Sequence, residues 1–236
     1  MNYKQFCQQN KPTQTELFAE FYAVFEKEIE IKNKRIATEK LKTIINATFK
    51  LSASGGFTNM TLRQLSKETH ISMGGLYAYI KNKKQLAFLI HKFLNHYVEK
   101  SLNQVDSSNP ETALENLIRI HVYISDLLQP WFFFAFMESK NLNREQKRYA
   151  INSELMMESR LIEVIKQGQE LEIYNTILSP ETIAAHIKPL LHDWYLKRWK
   201  YKQRKISVDD FCKSVMIFVN SSLLASEAKA PRPKEQ

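Results

Sequence analysis

Helix-start chemistry recurs along this chain often enough to set its fold class before any hydrophobic pattern is read. "TLRQ" at 61–64 and "SVDD" at 207–210 place a hydroxyl three residues before Gln or Asp. At that spacing the cap side chain and the third helical side chain each take up the other's free backbone N–H. "NPE" at Asn109 and "SPE" at Ser179 join an N-cap to proline at the first helical position and an acid in the first turn. Asn82 and Asn143 add two more caps, with Gln85 and Gln146 three residues on. Between these marks the apolar residues keep helical spacing, as in Leu41, Ile44, Ile45 and Phe49, or Leu86, Leu89, Ile90, Phe93 and Tyr97. No alternating strand pattern competes. The expected chain is all-α, with helices near 13–34, 38–54, 61–68, 72–79, 82–105, 110–128, 131–139, 143–168, 180–203 and 207–226.

Five glycines and seven prolines in 236 residues argue against disorder, and 44% hydrophobic residues are enough for a buried core. The most apolar stretch, "YISDLLQPWFFFAFM", is interrupted by Asp126 and Pro130 well short of the roughly 20 residues of a membrane span. It reads as a buried helix pair, and no membrane partner is expected. Cys7 and Cys212 lie far apart behind no signal-peptide pattern, so the expectation is a cytoplasmic protein without a disulfide. Charge is unevenly spread. Between Arg35 and Lys100 eleven basic residues face three acidic ones, a net +8 of the chain's +9. A compact basic module on a nearly neutral remainder is the electrostatic footprint of a phosphate-backbone binder.

Within that module, "TLRQLSKE" forms a short helix, "THIS" turns the chain, and "SMGGLYAYI" starts a second short helix at Ser72. Two short helices joined by a tight turn and backed by a longer amphipathic one make a helix-turn-helix, whose second helix enters the DNA major groove. Glycine in a helix interior costs about 0.8–1.0 kcal/mol relative to alanine. Gly74 and Gly75 spend that twice, which is explained if the backbone there approaches a phosphate or base edge. Tyr77, Tyr79 and Lys83 are placed to reach phosphate, Arg63 a guanine or phosphate, and Met73 a thymine methyl.

Residues 44–86, "IINATFKLSASGGFTNMTLRQLSKETHISMGGLYAYIKNKKQL", resemble the DNA-binding domain of TetR/AcrR-family transcriptional regulators: an amphipathic helix, a glycine, a Thr-initiated helix, then Ser, Gly, Leu-Tyr, a further aromatic and Asn-Lys. The resemblance implies DNA contacts at Thr61, Arg63, Ser72, Met73, Gly74, Gly75, Tyr77, Tyr79 and Lys83. It implies a homodimer reading a palindromic operator, most commonly as a repressor, and released by a small hydrophobic or aromatic effector. One departure is the turn. Many members have Ala-Gly where this chain has Thr69 and His70, so a non-glycine residue is expected at a positive φ.

The expected organisation is an N-terminal amphipathic extension at 1–34, the helix-turn-helix domain at 35–84, a helical ligand-binding and dimerisation domain at 85–228, and a tail at 229–236. The extension either lengthens the first DNA-binding helix or packs on the effector domain. Large side chains cluster in "PWFFFAFM" and around Met156, and the family frame makes them a candidate effector pocket: Trp131, Phe134, Met137 and Met156, with Tyr123, Glu138 and Trp194 as polar partners. Plain core packing is the competing reading of such aromatic stripes. The two terminal helices are expected to pair across the two-fold axis, with Lys197, Arg198, Lys200, Lys202, Arg204 and Lys205 as a solvated end. His186 and His192 lie six apart and His91 and His96 five apart, neither a shared-face metal spacing, and no Cys-x-x-Cys, phosphate loop or nucleophile-base pattern occurs. No catalysis, cofactor or metal is expected. The alternative function is a helical dimer that binds a lipid-like ligand or a protein without reading DNA.

Overall fold

The computed structural model describes residues 1–103, 105 and 108–224, so the expected tail at 229–236 lies outside the described residues. The described chain is helical, with no strand. The helices are α1 (Tyr3–Asn10), α2 (Gln14–Phe25), α3 (Lys34–Gly55), α4 (Leu62–Thr69), α5 (Met73–Tyr77), α6 (Lys83–Leu102), α7 (Pro110–Leu127), α8 (Gln129–Glu138), α9 (Arg144–Glu170), α10 (Pro180–Leu196), α11 (Arg198–Gln203) and α12 (Val208–Leu223), with a 3-10 turn at Ser139–Asn141. They fall into two compact units. One comprises Met1–Lys100 with Leu127–Ser153, the other the described residues of Ser101–Asp126 with Glu154–Gln236.

The caps read from the sequence are made. Thr61 and Ser207 form reciprocal boxes with Gln64 and Asp210, and Ser179 accepts from the Thr182 N–H. Asn82, Asn109 and Asn143 accept from the N–H of Gln85, Thr112 and Gln146. Each is a local interaction worth about 0.5–2 kcal/mol against alanine.

Two long helices expected from the sequence end early. The one expected at 13–34 is α2, which ends at Phe25 because longer-range bonds claim the chain beyond it, while α1 lies ahead of the expected start. The Tyr22 hydroxyl donates to Ile31 O at 3.0 Å, the Glu30 N–H donates to Ala78 O at 3.0 Å, and Ile29 is buried. The helix expected at 180–203 stops at Leu196 and restarts as α11. Asp193 pairs with Lys197 at 2.8 Å and with Lys200 and Tyr201, while the Tyr201 ring folds back to 5.0 Å from Trp194.

In the first unit, α2 packs on α3 and its Phe18 and Phe21 also meet Trp131 of α8 and Phe93 of α6, burying Leu17, Phe18, Phe21, Tyr22 and Phe25. At about 1.5–3 kcal/mol per buried large side chain, this extension is a substantial part of the unit's core. The α8 aromatics join the same core: Trp131 lies within 6.0 Å of Phe18, Phe21, Phe49 and Phe93, and Phe134 sits 5.4 Å from Phe49 and 5.1 Å from Phe57. The second unit is centred on Trp194, stacked on Phe211 at 4.7 Å. Its α9–α10 link is shaped by Gly168, where a Cβ would meet the Tyr174 ring at 2.1 Å, and by Asn175, whose amide donates to Ser222 O and Leu223 O at 2.9 Å.

Candidate nucleic-acid interface

The α4–turn–α5 element is fixed from its ends inward. The Thr61 box starts α4, and His70 stops it at φ 54 and ψ 30, the positive φ expected of the departure from glycine. Two side chains tie the turn: Thr69 Oγ1 donates to Leu65 O at 2.7 Å and accepts from the Ile71 N–H, and Ser66 Oγ donates to Ile71 O at 2.6 Å. Ser72 caps α5 through the Gly75 N–H at 3.1 Å. Leu65, Ile71, Leu76 and Ile80 are buried beneath. The outer face is therefore presented by a rigid turn.

The two glycines have different surroundings. A Cβ on Gly75 would lie 2.9 Å from Ile71 Cγ2 and 3.2 Å from the Ser72 hydroxyl, so packing within the turn excludes one. A Cβ on Gly74 would meet nothing within 4 Å. Of the other candidates, Thr61, Arg63 and Ser72 are exposed, Met73 is half-buried, and Tyr77 is 49% exposed. Tyr79 is only 4% exposed, and burial pushes its phenol pKa upward. Lys83 is committed elsewhere: its ammonium donates to Phe57 O, Thr58 O and Met60 O at 3.0, 2.7 and 2.9 Å. It closes the α3–α4 loop. Exposed Arg63, Lys67, Lys81 and Lys84 keep the α4–α6 region basic, while Lys50 is bridged to Glu68 at 2.6 Å.

The seven candidate effector residues are divided. Trp131, Phe134, Met137 and Glu138 belong to the first unit, where the first two are core and Met137 is exposed. Tyr123, Met156 and Trp194 belong to the second. There the Tyr123 hydroxyl donates to Asp209, burial pushes the phenol well above its usual pKa, and Trp194 lies under the Arg198 guanidinium at 4.2 Å. Arg198 also pairs with Asp126 at 2.6 Å, so the basic run after Leu196 is partly built into the unit and is not simply its solvated end. Within the second unit a cleft of about 710 Å³ is lined by Leu102, Leu117, Arg160, Val164 and Gln167 among others, away from the seven candidates.

Sequence reading passed over a buried polar group in that unit. Lys188 occupies the apolar face of α10 among Ala184, Ile187 and Leu191, and its ammonium lies 3.1 Å from Glu154 Oε1. His192 Nε2 approaches the same oxygen at 3.1 Å. Burial pushes the Glu154 carboxyl up, but the His192 hydrogen bond and the Lys188 charge outweigh it and hold the pKa at about 2. The signal was a lysine inside an apolar stripe, one turn before a histidine. Among the described residues no group of three or more His, Cys, Asp or Glu could hold a metal ion, and no helix is long and apolar enough to cross a membrane.

Residues 44–90 match the family model for bacterial regulatory proteins of the tetR family. Over 211 residues the chain is 23% identical to the HTH-type transcriptional regulator HbdR of Aromatoleum sp. (strain CIB), covering 87% of this chain and 92% of HbdR. In fold it is similar to the ketosteroid transcriptional regulator KstR2 of Mycobacterium tuberculosis, with a TM-score of 0.70 at 14% identity over 84% of this chain and 99% of that one. It is also similar to AibR in complex with isovaleryl coenzyme A and operator DNA, with a TM-score of 0.65 at 16% identity over 77% and 97%. The matched segment is the α3–α6 region that carries the turn, the caps and the basic face, so there the chain is similar to bacterial regulatory proteins of the tetR family, and over most of its length to an HTH-type transcriptional regulator.

Proposed function

We propose that the protein is a ligand-responsive repressor that binds a palindromic operator as a homodimer. In this reading α5 enters the major groove with Ser72, Met73, Gly74 and Tyr77 at the DNA, and Thr61 and Arg63 hold the adjoining backbone or a guanine. Tyr79 and Lys83 act from behind, as core and as loop closure. The observation that carries the reading is Gly74: no atom of the chain requires its missing side chain, so the close approach it permits serves a partner. The exposed lysines and arginine around it supply the sequence-independent attraction.

Dimerisation is assigned to α10 and α12. Ile217 and Phe218 on α12 are 62% and 60% exposed, an apolar face suited to a second copy. A small effector belongs in the second unit, whose cleft has the volume of ligand pockets in general. AibR, crystallised with both a coenzyme A thioester and operator DNA, supports the pairing of the two activities. The test is retention of random duplex DNA by the purified protein at near-physiological salt, followed by sequencing. A palindromic consensus is the expected result. A folded, dimeric protein that enriches no sequence would overturn the proposal.

A further inference from the structure

Ion pairs at protein surfaces join two mobile, hydrated side chains. The Lys188–Glu154 pair differs: the lysine side chain is only 6% exposed, whereas the glutamate side chain is 50% exposed. The cation is fixed and the anion is exchangeable. His192 is 18% exposed and points Nε2 at the same oxygen, so two donors converge on one carboxylate position from one face of α10. His121 from α7 and Tyr195 from α10, both buried, stand close enough to feel the Glu154 charge. Such an arrangement is a poor structural strut. A buried ion pair gains little over well-packed apolar side chains, and losing one partner leaves a stranded charge. Lys188 therefore needs an anion, but nothing requires that anion to be Glu154.

We propose that Lys188 and His192 form a carboxylate-binding subsite of the second unit, which Glu154 fills until the carboxylate of a small organic acid takes its place. The subsite rests on the effector-responsive reading above and narrows the effector to an anion. Glu154 turns outward into water when displaced, and the ligand oxygens inherit the Lys188 ammonium and the His192 Nε2–H. The exchange removes the Lys188 ion pair and the His192 contact by which Glu154 of α9 meets α10. α9 itself runs from Arg144 in the first unit to Glu170 in the second, so the group released lies on an element common to both.

The experiment is titration calorimetry of the full-length protein with acetate, hexanoate and benzoate, each against its neutral amide. At least one acid is expected to bind where its amide does not, and Glu154→Gln, which empties the subsite, to tighten that acid about tenfold if the internal carboxylate otherwise holds it nine-tenths of the time. Lys188→Met is expected to abolish the binding. In the unaltered protein the His192 ring resonances should move on adding the acid and not the amide, which keeps the test available if either variant folds poorly. Acids and amides that bind alike, or acid binding that survives Lys188→Met, would overturn the subsite. Retention of the selected operator is read separately. Acid binding without operator release upholds the subsite and removes effector control. Release by a neutral compound, equal in wild type and Lys188→Met and with no acid bound, upholds effector control and removes the subsite.

Discussion

Gly74 and Gly75 are adjacent and chemically identical, and the turn uses them differently. Gly75 is required from within, by Ile71 and the cap hydroxyl of Ser72. Gly75→Ala should lower stability by about 1–3 kcal/mol, the usual range for overpacking a tight site. Gly74 is open. Gly74→Ala should leave the melting temperature unchanged or raise it, since alanine gains up to about 1 kcal/mol of helix propensity, while operator affinity falls. Thermal melts and an operator-binding assay on the two variants separate the roles, and undiminished affinity in Gly74→Ala would place the interface elsewhere. Lys83 poses the converse case. Its three carbonyl partners lie 23 to 26 residues earlier in the chain. Lys83→Met should cost about 1–3 kcal/mol in denaturant unfolding, since charged hydrogen bonds to three carbonyls, two of them part-buried, are lost. The slope of log affinity against log salt should stay as it was, because no phosphate contact disappears.

Helices were legible where their determinants are local. Thr61, Ser179 and Ser207 sit within three residues of the groups they cap, and every such start lies where the sequence placed it. Helix ends were not legible at Phe25 and Leu196, because the interactions that end them come from Ala78 and Tyr201. The same limit governs the aromatic helix α8. Its spacing is equally that of a pocket wall or a core, and only the positions of Phe18, Phe49 and Phe93 assign Trp131 to the core of the first unit. Trp131→Ala should thus behave as a core truncation, costing about 3–5 kcal/mol in urea unfolding of the unliganded protein. An unfolding midpoint within error of wild type would return Trp131 to the candidate pocket. On the interface, the motif gave the residue types and their order. Burial separated the half-exposed Tyr77 from the enclosed Tyr79, two positions that sequence treats alike.

For the whole molecule, self-association and acid response follow from groups that no motif marks. Under the dimer proposal, Phe218→Asp puts a charge into an apolar interface and should convert a dimer to a monomer in sedimentation equilibrium, with a large loss of operator affinity as the second half-site contact goes. The acid response includes His121 and the two carboxylates held furthest below their ordinary values, Glu154 and Asp193. Burial, followed by the charges of Lys188 and His192, holds the His121 pKa well below its ordinary 6.5 despite the opposing charge of Glu154. Folded His121 thus stays neutral where the unfolded chain takes up a proton. The unfolded state binds more protons below about pH 6.5, and stability must fall as pH drops, by at most about 1.4 kcal/mol per pH unit for this one group. Glu154 and Asp193, held at about 2, act in a lower window. Their contribution is present above the unfolded carboxylate values of 4.5 and 3.8 and is lost as pH falls toward 2. The curve should therefore decline in two stages. His121→Leu removes the first proton uptake and leaves the second intact, so its urea midpoints should be flat from pH 7.5 to 5 and then fall with wild type. A variant that declines in parallel with wild type between pH 6.5 and 5 would show that the protons are bound elsewhere.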